Sequence, residues 1–212
     1  MKIGIISDIH AYINPLKEAL AIFDAHKVDK IICAGDLVDG GSEGDAVVKL
    51  IRDLKIDTVM GNHDRDVFTE QAWVRRNIRE SGETSNPLLL KLETVAFVSS
   101  LRLNLTFSWE NHKICLAHGI PYNNTRYLFP NSSEEQFDEA LEQTTADILI
   151  LGHTHQPMIV QKGHRYILNA GSVAFNRLDD SQTCAILTLP DFDFQVFDLA
   201  TGDEYPLEMT II

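Results

Sequence analysis

The stretch Ile148-Leu149-Ile150-Leu151-Gly152-His153-Thr154-His155 decides how the rest of the chain is read. Four consecutive aliphatic residues closed by a glycine predict a short buried strand. Two imidazoles, two residues apart, follow directly at its C-terminal end. That is where open α/β sheets place their chemistry.

The same order recurs along the chain. Ile3-Gly4-Ile5-Ile6 runs into Ser7-Asp8-Ile9-His10, and Ile31-Ile32-Cys33-Ala34 into Gly35-Asp36-Leu37-Val38-Asp39. Thr58-Val59-Met60 runs into Gly61-Asn62-His63-Asp64, and Lys113-Ile114-Cys115-Leu116-Ala117 into His118-Gly119. These ends deliver Asp, Asn and His, the oxygen and imidazole donors that suit first-row divalent cations. Taken singly, each has a plain structural reading. An Asp after a strand is usually a helix N-cap, and Asn-His-Asp is usually a turn. The repetition of one strand context through the chain is what such separate readings leave unexplained.

A chain of 212 residues suits one domain and can bury a full core without staples. Hydrophobic content of 44% and charged content of 23% are ordinary for a globular protein. The net charge of -13 argues against non-specific binding to nucleic acid or anionic membrane. It does not oppose a local positive site made by bound cations. Cys33, Cys115 and Cys184 lie in apolar runs and read as buried small hydrophobes. There is no Cys-x-x-Cys, so no thiolate zinc site is indicated. No apolar stretch is long enough to span a membrane, and no signal peptide precedes the strand that starts at Lys2 or Ile3. The expected location is the cytoplasm.

Helices are expected from Asn14-Pro15, a favoured cap and first-turn pair, and over Ala46–Leu54. Alternation of strand and helix up to Met60 implies a largely parallel sheet. Residues 65–102 break the pattern. A polar helix over Gln71–Glu80, a break over Ser81–Pro87 and a further helix over Leu88–Leu101 read as a helical insertion or cap within a single domain of residues 1–212. From Leu103 strands resume, with hairpins at Trp109–His112 and Pro190-Asp191 and a helix over Ser133–Thr145, with Ser132-Ser133 leading it and Glu135 in its first turn.

Asp-x-His, Gly-Asp-x-x-Asp, Gly-Asn-His-Asp, His-Gly and Gly-His-x-His, in that order, resemble the calcineurin-like metallophosphoesterase superfamily. Asn169-Ala170-Gly171-Ser172 is similar to the Asn-Pro-Gly-Ser turn of its small bacterial and archaeal phosphodiesterase-like members. The resemblance implies an α/β fold, a four-layer α/β/β/α double β-sandwich. It implies that Asp8, His10 and His155 hold one metal, that Asn62, His118 and His153 hold another, and that Asp36 bridges them. Manganese is the expected metal, with iron, zinc or magnesium as alternatives. Two such ions ~3.5–4 Å apart share a hydroxide and clamp a phosphoryl group for in-line attack. His63 then stabilises the transition state or protonates the leaving oxygen, oriented by Asp39.

Charge narrows the substrate. Two dications offset by two aspartates and a hydroxide leave one positive charge, which a phosphodiester monoanion neutralises. The protein phosphatases of the superfamily carry Arg after the second Asp of the second motif and Glu after Asn-His. This chain has Gly40 and Asp64 there. Both departures favour a diester or another small phosphorylated substrate over a phosphoprotein. Ala11 stands where Gly often follows the first His. Arg65, Tyr122, Asn123 and Arg126 are candidate substrate contacts, with Arg177 and Asn124 beside them; a solvated surface charge is the better reading of the arginines and a simple polar loop that of Tyr122–Asn124. A phosphomonoesterase or small nuclease is the alternative within enzymes. A non-catalytic scaffold, like the retromer subunit of this fold, is the alternative outside them. Strong nucleic-acid binding is not expected, and assembly into a homo-oligomer is left open.

Overall fold

Each aliphatic run ahead of a candidate site residue lies in the sheets. The chain runs β1 (Lys2–Ile6), α1 (Ile13–Ala25), β2 (Lys30–Cys33), α2 (Gly44–Asp53), β3 (Asp57–Thr58), α3 (Asn62–Ser81) and α4 (Leu92–Ser99). It continues through β4 (Asn104–Trp109), β5 (His112–Ala117), α5 (Glu134–Glu142), β6 (Ile148–Leu151), β7 (Pro157–Lys162) and β8 (Arg165–Ala170). β9 (Thr183–Thr188), β10 (Asp193–Asp198), β11 (Glu204–Tyr205) and β12 (Thr210–Ile211) complete it. The computed structural model describes residues 1–82 and 86–212. Glu83, Thr84 and Ser85, in the middle of the expected break, lie outside the described residues.

Two six-stranded sheets form, in the orders β11-β10-β9-β1-β2-β3 and β12-β7-β8-β6-β5-β4. The first has β1, β2 and β3 parallel, and the second has β5, β6 and β8 parallel. Antiparallel neighbours flank both parallel sets: β9 beside β1, and β4 and β7 beside β5 and β8.

Alternate side chains build the layers. Ile3 and Ile5 of β1 face the other sheet and share a core with Ile114, Leu116, Ile148, Ile150 and Leu168. Ile6 points the opposite way, into a cluster with Leu16 and Phe23 of α1 and Val47, Val48 and Ile51 of α2. Leu149 and Leu151 of β6 pack with Phe137, Ala140 and Leu141 of α5. A strand covered on both faces needs an apolar residue at every position, so it reads as an unbroken run. The result is the expected four-layer α/β/β/α double sandwich. Each fully buried aliphatic side chain contributes roughly 1.5–3 kcal/mol, so these three clusters dominate any helix propensity.

Several boundaries differ from expectation, for tertiary reasons. α1 starts at Ile13 with Tyr12 as its cap, rather than at Asn14-Pro15. The Ile13 N–H donates to the Glu43 carboxylate at 3.3 Å. Pro15 then falls in the first turn, where its missing N–H has no partner to lose. α3 starts at Asn62 rather than Gln71, because the Asp64 carboxylate accepts the Gly61 N–H at 3.0 Å. α5 ends at Glu142 rather than Thr145; Glu135 lies in its first turn as expected, and Ser133 caps it, with the Gln136 side chain accepting the Ser133 N–H at 3.1 Å.

α4 is shorter than the Leu88–Leu101 run, because Leu88 lies in a turn that the Leu89 N–H closes onto the Asn86 carbonyl at 3.0 Å, and residues 89–91 are not helical. The buried Gln71 holds residues 88–90 in place. Its Nε2 donates to the Leu88 carbonyl at 2.9 Å, and its Oε1 accepts the Leu90 N–H at 2.8 Å. The side-chain amide pairs with the segment as a neighbouring strand would. Replacing it by Leu strands a buried donor and acceptor, at about 1–3 kcal/mol. Gln71→Leu is therefore expected to unfold at lower denaturant than the parent, and an unchanged midpoint would show that residues 88–90 hold themselves.

Candidate metal centre

The parallel strands of both sheets deliver their C-terminal loops to one place. Asp8 and His10 follow β1, Asp36 and Asp39 follow β2, and Asn62 and His63 lie just beyond β3 at the start of α3. His118 follows β5, and His153 and His155 follow β6. Ligand-type atoms of Asp8, His10 and His155 lie within 4.8 Å of one another, as do those of Asp36, His118 and His153. The Asp36 Oδ2 atom sits between the two groups, 3.2 Å from His118 Nε2 and 3.8 Å from His10 Nε2. Asn62 Oδ1 lies 3.1 Å from His118 Nε2.

The loops that carry these residues bend sharply. Asp8, His10, Asp36, His153 and His155 have φ of 54°, 49°, 55°, 68° and 62°, the left-handed region. Asp and His visit this region more readily than most residues, but each such residue still costs about 1–3 kcal/mol and persists only where its surroundings over-determine it. The surroundings here are backbone hydrogen bonds. Asp8 N–H donates to the Gly35 carbonyl, and Ile9 and His10 N–H both donate to the Asp36 carbonyl, all at 2.9 Å. Two glycines make room. A Cβ on Gly61 would overlap the Asp36 carboxylate, and one on Gly152 would overlap the Ser7 hydroxyl.

Hydrogen bonds on the far side of three imidazoles fix their tautomers. Nδ1 of His10, His118 and His155 faces the carbonyl of Asp39, Ala34 and Phe175 at 3.2, 2.6 and 2.8 Å. A carbonyl only accepts, so Nδ1 carries the proton and Nε2 keeps its lone pair. His10 Nε2 and His155 Nε2 nevertheless lie 3.2 Å apart. Asp8 Oδ1, 3.2 Å from His155 Nε2, has no hydrogen-bond partner, and neither does His153 Nε2. Both atoms are buried. Lone pairs and carboxylate oxygens converging without a proton donor form a cation-binding donor set. Mixed imidazole and carboxylate donors of this kind could hold a divalent cation.

Electrostatics agrees. Burial opposes ionisation of Asp8, but His155, His118 and His10 around it hold its carboxyl well below the usual range. Burial lowers His10, and it pushes His153 down to about 4 with help from His118, so both imidazoles stay neutral. Burial would lower His118 too, yet the Asp36 carboxylate pushes it up to about 9. Burial and the Asp36 charge push Asp64 up to about 7.

His63 and Asp39 form a pair at the rim. His63 Nδ1 lies 2.6 Å from Asp39 Oδ2, and that hydrogen bond pushes His63 up to about 9. Its ring meets His10 edge-on, with centroids 5.0 Å apart, and its N–H donates to Asp36 Oδ1 at 2.9 Å.

The four proposed substrate contacts fare differently. Arg65 is occupied by Asp66, through two bonds of 2.8 Å, and reaches Asn124 at 3.3 Å. Arg126 pairs with Glu139 at 2.9 Å. The Tyr122 side chain is exposed, and the Asn123 carboxamide closes a local turn onto Thr125.

Supporting residues were harder to see in the sequence. Asp64 accepts the N–H groups of Asp36, Leu37 and Gly61. Ser172 donates to the Asp8 carbonyl at 3.0 Å, and Asn169 donates to the Gly152 carbonyl at 2.8 Å. The resemblance of Asn169–Ser172 to a family turn was the one signal for this pair. Buried Asn124 donates to the Gly61 carbonyl at 2.9 Å. Tyr127 stacks on His153 with centroids 3.9 Å apart, which nothing local in the sequence announced.

Comparison with known proteins places this geometry. The family model described as the calcineurin-like phosphoesterase superfamily domain matches residues 1–191. A probable metallophosphoesterase of Methanothermobacter thermautotrophicus is 29% identical over 181 residues, 85% of this chain and 81% of the relative. A phosphodiesterase of Methanocaldococcus jannaschii is 21% identical over 173 residues, 81% of this chain and 83% of the relative. The crystal structure of a metallophosphoesterase from Sphaerobacter thermophilus shares the fold with a TM-score of 0.71 at 24% identity, covering 92% of this chain and 87% of that one.

A cation bound by the native state alone stabilises it, by about 2.7 kcal/mol at a hundred times Kd. Divalent manganese added to metal-stripped protein is therefore expected to raise the melting temperature. Gly61→Ala, which displaces the Asp36 carboxylate, is expected to remove most of that rise. An equal rise in both would place cation binding elsewhere.

Proposed function

The chain belongs to the calcineurin-like phosphoesterase superfamily, and on that premise we propose that it hydrolyses a phosphodiester, or a similar small phosphorylated molecule, with two divalent cations. The observation that carries this reading is the pair of adjoining donor sets with Asp36 between them. Asp8, His10 and His155 would hold one ion, and Asn62, His118 and His153 the other, with Asp36 reaching both. Manganese is the first choice, because hard oxygen and imidazole donors are mixed. Bound there, two cations supply an activated water and a clamp on the phosphoryl oxygens.

The chain's own residues do the rest. The loops after β1, β2 and β6 fix the donor atoms through backbone hydrogen bonds, so little reorganisation accompanies binding. His63, kept protonated by Asp39, can donate its Nε2 proton to the leaving oxygen. The oxygen of water adds to phosphorus, the bond to the leaving oxygen breaks, and the proton lost by the water restores His63. Asp39 acts by orienting His63.

Charge supports the diester. A dianionic monoester calls for a guanidinium; Arg65 and Arg126 are already paired with Asp66 and Glu139, which leaves the exposed Arg177 to supply one. A diester monoanion needs no such partner.

The test is a panel of 4-nitrophenyl monoesters and diesters, offered to the metal-stripped protein with manganese, iron, zinc or magnesium restored in turn. Diester turnover with manganese is expected. Inertness with every metal would favour a scaffold role, and cleavage of single-stranded DNA with inertness to small diesters would favour a nuclease. His63→Ala is expected to keep two metals per chain and lose about 10²–10⁴-fold in kcat; loss of metal in that variant would make His63 structural. His153→Ala and His155→Ala are each expected to lower the metal content from two to one, read by elemental analysis.

A further inference from the structure

A cavity of about 350 Å³ opens beside the Asp39–His63 pair. One wall is α3, from Thr69 to Val74. The other is the non-helical segment ending at Leu90, which Gln71 holds in place. Trp73, Val74, Leu88 and Leu90 make its surface largely apolar. It reaches the Asp39–His63 pair, because Asp39 and Glu70 line it and ligand-type atoms of Asp39, His63 and Glu70 lie within 4.8 Å of one another. A cavity of about 150 Å³ already accepts benzene, so this one has room for an aryl or branched alkyl group.

We infer that this cavity receives the leaving group of the substrate and selects an uncharged, apolar alcohol. The inference rests on the phosphoesterase reading above and extends it to substrate class. Three observations converge on it. The cavity adjoins the residue pair that would protonate the leaving oxygen, so a group attached to that oxygen is directed into it. Its lining is apolar, so burial there favours an apolar group over water. The charged side chains among its described lining residues, Asp39 and Glu70, are both acidic. None of the described lining residues is basic, so nothing there pairs with a second phosphate or a carboxylate on the leaving group. Residues 69–74 and 87–90 thus act on specificity by shaping the wall of this cavity.

Phosphonates, used as their monomethyl esters so that phenyl-, 4-carboxyphenyl- and methylphosphonate each match the phosphoryl charge of a diester, separate this inference from the reading beneath it, because they bind without appreciable turnover. Calorimetric titration of the manganese-loaded protein is expected to show phenylphosphonate binding at least about tenfold more tightly than methylphosphonate, a difference of about 1.4 kcal/mol. 4-Carboxyphenylphosphonate is expected to bind no more tightly than methylphosphonate. Thr69→Trp, which fills the cavity from its exposed rim, and Trp73→Ala, which removes a wall, are each expected to erase the phenyl advantage and leave methylphosphonate affinity unchanged. Equal affinity for phenyl- and methylphosphonate in the parent, or a phenyl advantage that survives both substitutions, would overturn the inference while leaving phosphonate binding intact. No binding of any phosphonate would remove the phosphoesterase reading and this inference together.

Discussion

Electron-rich atoms are forced together at the centre of this protein, and the rest of the structure serves to hold them there. His10 and His155 present bare Nε2 atoms to each other at 3.2 Å. Asp36 and Asn62 present oxygens to His118 Nε2 at 3.2 and 3.1 Å. Left to themselves such groups would separate or take up protons. Backbone carbonyls on the far side of the rings prevent rotation, and the left-handed loops prevent retreat. The strain of those loops is offset by hydrogen bonds between neighbouring motifs, so each motif's geometry depends on another's. The Asp8 backbone bonds Gly35, and its carboxylate accepts the His153 N–H. One divalent cation in each donor set would resolve the repulsion in a way that water could not.

The two-sheet architecture is what permits this convergence. A single parallel sheet offers a row of strand ends, whereas two facing sheets offer opposed rows. β1, β2 and β3 contribute the carboxylates, the His10 imidazole and the Asn62 amide from one side, and β5 and β6 contribute the other imidazoles from the opposite side. The shared core of Ile3, Ile5, Ile114, Leu116, Ile148 and Ile150 sets their separation. A cavity-forming change in that core would therefore be felt at the metal centre as well as in stability.

Much of this was legible in the sequence because it is local. Strands buried on both faces read as unbroken aliphatic runs, and the residues just beyond them read as ligands by type. What was not legible depends on partners distant in the chain. Gln71 looked like the start of a polar helix, but its amide pairs with residues 88 and 90. Asp64 looked like a turn residue and is instead a buried acceptor for three N–H groups. Tyr127 and Asn124 sat in an unremarkable polar loop until the fold laid that loop against His153 and Gly61. β7 went unnoticed although Pro157 stands first in it, the strand position where proline is tolerated. The two-residue strands β11 and β12 are too short to carry any period.

Anomalous diffraction from crystals grown with manganese tests the central claim most directly. Two peaks are predicted, one among Asp8, His10 and His155 and one among Asn62, His118 and His153, with the Asp36 carboxylate reaching both. A single peak, or peaks away from Asp36, would contradict it.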